Sequence, residues 1–150
     1  MPAFATALRF GQRVELLVLD RIHVQYPKAC IIQGSFSPFD IYIPETHTRV
    51  EVKSDQKSMN TGNYLIEVHH YGKPSALLTT EADIWALYDG SQLVWVKPSK
   101  IKDTILKNGY RQRTLIGDGD KVPKRCYLIP KDDINQIADY IEEIDEHKYK

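Results

Sequence analysis

Apolar and polar positions along the chain repeat with two different periods. Over the first 22 residues, Phe4, Leu8, Gly11, Glu15, Val18 and Ile22 recur at steps of three and four, which predicts a helix. Leu16, Leu17 and Leu19 widen its apolar face, and Pro27 stops any helix before it. Short strand-like segments follow. Residues 29–33 form one candidate. Residues 39–43 and 49–53 alternate with period 2 about the turn residues Pro44-Glu45-Thr46-His47. Residues 55–63 are polar and contain Gly62, which reads as a loop, and residues 64–69 read as a fourth strand.

The period then changes. Thr79 or Thr80 can cap a helix over residues 81–89 that Gly90 ends. Residues 92–97 read as a strand closed by Pro98. Ser99 can cap a short helix with Ile101, Ile105 and Leu106 inside, stopped at Gly109, and residues 125–129 form a last strand. Asp132 and Asp133 open a final helix with Ile134, Ile137, Ala138, Ile141 and Ile144 on one face, where acidic residues suit the helix dipole. The order is helix, strands, helix, strand, helices: an α/β or α+β fold in a single domain, residues 1–150.

Composition narrows this picture. A chain of 150 residues can bury a core without disulfide staples. No apolar run approaches the roughly 18 residues of a membrane span. The first residues lack the basic patch and apolar run of a signal peptide, so a cytoplasmic, intracellular site is the expectation. Cys30 and Cys126 lie in apolar stretches and read as buried, reduced thiols. The net charge of zero hides an uneven distribution. Residues 97–131 carry 10 basic and 3 acidic side chains, and residues 132–150 carry 2 basic and 7 acidic. The basic block can hold phosphates, or it can be a solvated surface neutralised by the acidic tail.

The candidate chemistry lies on the second and third strands. Glu51 and Lys53 are two apart on a strand and share one face, while Val52 points into the core. If these strands form a hairpin about Glu45-Thr46, paired residue numbers sum to 91 and Asp40 falls opposite Glu51 on the same face. Directly opposite Cβ atoms lie about 4.5–5.5 Å apart, an unfavourable place for two like charges unless a cation sits between them. Mg²⁺ suits such oxygens, with water completing its shell. A lysine beside it can position a water or stabilise charge developing on a phosphate. Glu15 lies on the inner stripe of the first helix, where a carboxylate is costly unless it is paired or bound to metal.

Pro38-Phe39-Asp40, then ten residues, then Glu51-Val52-Lys53, resembles the signature of the PD-(D/E)XK nuclease superfamily. Gly11-Gln12-Arg13-Val14-Glu15 resembles the preceding helix that often adds an acid there. The stretches from Thr61 to Glu67, from Gly72 to Ser75 and from Thr79 to Asp83 are similar to small phage-type members, so a phage-encoded origin is among the resemblance's implications. The resemblance covers about two thirds of the chain. It implies a restriction-endonuclease-like αβββαβ core over residues 3–97, with a mixed sheet flanked by helices. Residues 98–150 would be an extension with a further strand and helices. Phe39 between Pro38 and Asp40 departs from the motif. By resemblance, Asp40 and Glu51 bind Mg²⁺ or Mn²⁺ with the Val52 carbonyl and Glu15 as further ligands, and Lys53 serves the attacking water.

The implied activity is metal-dependent hydrolysis of phosphodiester bonds, as an endonuclease on DNA. Cutting both strands of a duplex would call for a homodimer, since one site cuts one strand. A non-catalytic nucleic-acid-binding module on the same scaffold is the competing reading. An interaction protein that uses its acidic C-terminal helix is a third. Lys57, Lys73, Ser75 and Thr79 are candidate substrate contacts, the last three near the expected helix N-terminus, though a plain loop reads equally well. His69-His70 reads as a solvated pair, and no cysteine or histidine stands at the spacing zinc requires.

Overall fold

A computed structural model of the chain describes residues 2–34, 37–55, 58–115 and 123–145, with residues 2–10 as backbone only. The helices are α1 (Pro2–His23), the single turn α2 (Ser58–Thr61), α3 (Pro98–Asn108) and α4 (Lys131–Ile137). The strands are β1 (Cys30–Ile31), β2 (Ile41–Ile43), β3 (Thr48–Ser54), β4 (Asn63–His70), β5 (Lys73–Pro74), β6 (Ile84–Tyr88), β7 (Gln92–Val96), β8 (Gln112–Leu115), β9 (Lys124–Pro130) and β10 (Tyr140–Glu143). The fold is α+β. A six-stranded sheet runs β1-β2-β3-β6-β7-β10 and is mixed, since β3 and β6 are parallel and the other neighbours antiparallel. A second, antiparallel sheet runs β5-β4-β9-β8.

Each face of the mixed sheet has its own core, because alternate residues of β3, β6 and β7 point opposite ways. On one face α1 lays Val14, Leu17, Val18 and Ile22 against Ile41, Ile43, Val50 and Ala86. On the other, Trp85, Leu87, Val94 and Val96 meet Tyr64, Ile66 and Ile129 of the second sheet, with Ile101 of α3 and Ile134 of α4. No helix among the described residues is long and apolar enough to cross a membrane.

The helix expected over residues 81–89 is instead strand β6, in the middle of the mixed sheet. Trp85, Ala86, Leu87 and Tyr88 are all buried. A strand covered on both faces reads as a continuous apolar run, and over five residues such a run has no period to tell it from a helix. The apparent helix signals have other uses. Thr80 Oγ1 accepts the Ala82 N–H and the Trp85 indole N–H. Asp83 accepts the backbone N–H and guanidinium of Arg49. Gly90 (φ 106°) turns the β6–β7 hairpin, a conformation open to glycine.

The C-terminal helix is also shorter than its pattern. α4 stops at Ile137, Ala138 is extended, and β10 pairs antiparallel with β7. Ile134 enters the second core and Ile144 the first, so one helical-looking stripe is divided between two cores. The open edge of β7 supplies ladder partners that a longer helix would leave unused. α3 begins at Pro98, with Lys97 rather than Ser99 at the cap position, because proline suits the first helical turn. It ends as expected at Gly109, but Leu106 is exposed rather than inside. Cys126 is buried, whereas Cys30 is exposed on the short edge strand β1, contrary to the sequence reading; both are free thiols.

One polar contact ties the two sheets together. Asp89, fully buried in the β6–β7 turn, accepts the backbone N–H groups of Ser91 and Gln92, each at 2.8 Å, and pairs with Lys131 at the start of α4. Burial pushes its carboxyl pKa up. The Lys131 hydrogen bond and the two N–H groups outweigh that, and the net shift is downward.

Candidate active site

The hairpin register follows the expected sum of 91: Ile41 pairs with Val50, Tyr42 with Arg49 and Ile43 with Thr48. Asp40 lies one residue beyond this ladder and does not continue it. Its N–H donates to the Val50 carbonyl at 2.9 Å, so Asp40 and Ile41 share one partner residue, as at a bulge. Its carbonyl accepts the Ile32 N–H at 2.8 Å. The carboxylate then reaches along β3, past Glu51, and Oδ2 accepts the Val52 N–H at 2.7 Å. The expected Asp40–Glu51 ladder pair is therefore replaced by a side-chain bond that anchors Asp40 to the strand carrying Glu51.

Glu51 and Lys53 share one face of β3, as their spacing predicts. Glu51 Oε1 lies 3.4 Å from Lys53 Nζ. On β6 their register partners are Trp85 and Leu87. The Lys53 ammonium stands 5.3 Å from the centre of the Trp85 ring, within cation–π range. Trp85 is itself held by its bond to Thr80. The contact between Trp85 and Lys53 cannot be read from the sequence, because a parallel pairing 34 residues away leaves no local trace.

The carboxylates are crowded. Glu15 is raised above its ordinary pKa by burial first, then by the charges of Asp40 and Glu51. Glu51 is also raised: burial and Asp40 push it up, and Lys53 only partly offsets them. α1 thus brings Glu15 within electrostatic reach of the two strand acids, as its place on the inner stripe suggests. Val52 packs its side chain against the α1 core and enters the site through its backbone.

The donor set suits a hard cation. Asp40 Oδ1 and Glu51 Oε2 lie outside the contacts just described, and one or two carboxylates plus water is how Mg²⁺ is commonly held. Among the described residues, no group of three or more His, Cys, Asp or Glu side chains is gathered tightly enough to hold a metal ion. The fit therefore rests on these two carboxylates and water.

Lys53 opens onto a cavity of about 260 Å³ between the sheets, lined also by Asp55, Leu65, Glu67, Trp85 and Cys126. Asp55 is structural here: its carboxylate accepts the N–H groups of Ser58 and Leu65. Glu67 accepts the Ser75 hydroxyl at 2.9 Å and lies 3.7 Å from Lys124. Ser75 therefore reaches this wall. Lys73 is exposed on β5, and Thr79 is exposed after the 3-10 turn Ala76–Leu78. No helix N-terminus follows Thr79, so of the two readings offered for this segment the one that places a phosphate at a helix N-terminus loses its helix. Lys57 lies outside the described residues. Burial pushes the Cys126 thiol up to about 11, which keeps it protonated. A larger cavity of about 560 Å³, lined by Arg21, Tyr26, Ile43, Trp95 and Tyr140, contains none of the candidate trio.

No family model, curated protein or solved structure matches this chain.

Proposed function

We propose that the protein is a divalent-metal-dependent nuclease of the PD-(D/E)XK type, an endonuclease acting on DNA. The observation that carries this reading is geometric: Asp40 Oδ2 accepts the Val52 N–H between Glu51 and Lys53, which share one face of β3, on a hairpin with the motif's spacing. The succession α1, β1, β2, β3 and then β6 and β7 supports a relation to the restriction-endonuclease-like core, with strands and a 3-10 turn where the αβββαβ order has its second helix.

Asp40 and Glu51 would hold Mg²⁺ or Mn²⁺, with the Val52 carbonyl and Glu15 at its margin. When bound, the cation supplies Lewis-acid polarisation and lowers the pKa of water. The chain does the rest. The Val52 N–H fixes the Asp40 carboxylate. Trp85 and Glu51 hold the Lys53 ammonium at the mouth of the cavity, where it orients a water and offsets charge developing on the phosphate. Cutting both strands of a duplex would use two such sites, as in a homodimer.

The test is nicking of plasmid, single-stranded and branched DNA in Mg²⁺ or Mn²⁺. EDTA stops it, Asp40→Ala or Glu51→Ala abolishes it, and Lys53→Ala cuts it about 10²–10³-fold, while the far-UV spectrum stays unchanged. Full activity in any one of these folded variants refutes the assignment. A second reading, a non-catalytic nucleic-acid-binding module, is favoured by one observation: Lys53 is already ion-paired with Glu51. It predicts salt-sensitive binding with no nicking at any protein concentration.

A further inference from the structure

Strand β4 turns its edge, rather than one of its faces, toward the candidate site. In the second sheet β9 lies on one side of β4, and on the other β5 covers only His69 and His70. Among the described residues, no strand pairs with the stretch 63–68 on that side. The cavity of about 260 Å³ at Lys53 runs along this open edge. Four consecutive residues, Tyr64 to Glu67, line it, which one face of a strand cannot do and an edge can. The Leu65 N–H points into the gap and donates to the Asp55 carboxylate. Backbone groups of alternate residues in an antiparallel ladder point the same way, so the Leu65 carbonyl and the Glu67 N–H also point out from β9. The Glu67 carboxylate is part of the lining, held by the Ser75 hydroxyl at 2.9 Å and by Lys124 at 3.7 Å. A carboxylate accepts about four hydrogen bonds, so these two contacts leave it room for another donor. Leu65, Ala76, Trp85 and Leu87 give the cavity apolar walls.

Size and chemistry select the occupant. Pockets for drug-sized ligands run from about 300 to 1,000 Å³, so this one holds a single small ring system and not a base pair. A nucleobase matches it, with apolar faces and with donors and acceptors around its rim. We propose that the cavity takes one unpaired nucleobase, from the nucleotide whose phosphate lies at Lys53. The inference rests on the nuclease reading and names its substrate class: DNA with an unpaired nucleotide at the cut. A paired base would first have to leave its stack, which costs more than placing one already unpaired. The Glu67 carboxylate accepts hydrogen bonds, so it favours adenine or cytosine, which carry an exocyclic amine, over thymine, which carries none.

The test uses the full chain and labelled duplexes that carry one bulged nucleotide: adenine, cytosine, thymine or an abasic residue. Binding is followed by fluorescence anisotropy with Ca²⁺ in place of Mg²⁺, and nicking is mapped separately in Mn²⁺. Wild type should bind the adenine bulge roughly 10- to 100-fold more tightly than the abasic one. The thymine bulge should bind about fivefold more weakly than adenine or cytosine. Cuts should fall at the bulge. Glu67→Ala, with its melting temperature checked, should erase the difference between adenine and thymine while keeping the preference over the abasic bulge. Equal binding of the adenine and abasic bulges by wild type overturns the pocket and leaves the nuclease reading standing if wild type nicks. A difference between adenine and thymine that survives in Glu67→Ala overturns the role given to Glu67. Preference for the base-bearing bulge with no nicking supports the pocket and refutes the nuclease reading. A wild type that neither binds nor nicks refutes both.

Discussion

Two polar clusters flank the central strand β6, and they differ in whether their charges are satisfied. At its end, Asp89 is fully buried yet surrounded by donors, and its pKa falls below the ordinary 3.8. Beside it, Glu51 and Glu15 are only partly buried, yet burial first, and then the charges of neighbouring carboxylates, raise their pKa values. The difference separates a charge that holds the fold together from charges the fold must tolerate. Depth of burial alone would rank the two clusters the wrong way round for function. What distinguishes the second is burial that donors do not offset, with a lysine alongside.

The comparison can be broken most forcefully at Lys131. Lys131→Met leaves a buried carboxylate without its counter-ion and should cost about 3–5 kcal/mol, a fall in Tm of roughly 10 °C. A melting curve within 2 °C of wild type, on the order of 1 kcal/mol or less, would show that Asp89 does not need its partner. Next in size is Lys53→Ala. It removes a charge near the proposed reacting phosphate and should reduce nicking about 10²–10³-fold with little change in Tm.

The pH dependence of stability separates the clusters by sign. Asp89 titrates lower in the fold than in the unfolded chain. The stability it contributes is complete above its unfolded value near 3.8 and is lost as pH falls through the lower folded value. Asp89→Asn should flatten that acid limb in urea midpoints measured between about pH 2.5 and 6. Glu51 titrates higher in the fold than its ordinary 4.5, so its contribution is present below that value and is lost as pH rises through the folded one. The smallest effect follows from this. Glu51→Gln removes a partly buried charge and should raise stability near neutral pH by about 0.5–1 kcal/mol while nicking disappears. A destabilised Glu51→Gln would mean that the Lys53 ion pair outweighs the cost of burying the Glu51 charge.

Much of the site was legible because it is local. Asp40, Glu51 and Lys53 lie within one hairpin, and alternation about a four-residue turn was enough to set the ladder register. What escaped depends on distant partners or on backbone departures. The departure of Asp40 from the ladder has no glycine to mark it. β6 looked helical because burial on both faces erases the alternation that identifies a strand. β10 looked helical because Ile141 and Ile144 continue the spacing of α4, while the free edge of β7 decides their conformation. The β8–β9 pairing could not be read at all, since β8 is a short polar segment with little apolar alternation.

The parallel pairing of β3 with β6 also has a kinetic consequence. The β2–β3 hairpin closes over a turn of a few residues, but β6 joins β3 at an offset of 34 residues, with all of β4 and β5 between them. Parallel pairing across such a separation is slower than hairpin formation, because the loop must be ordered before its contacts reward it. The acids can therefore be aligned early in refolding, before Trp85 has arrived beneath Lys53. Nicking activity should then return with the slowest phase of refolding rather than with the first appearance of β-structure.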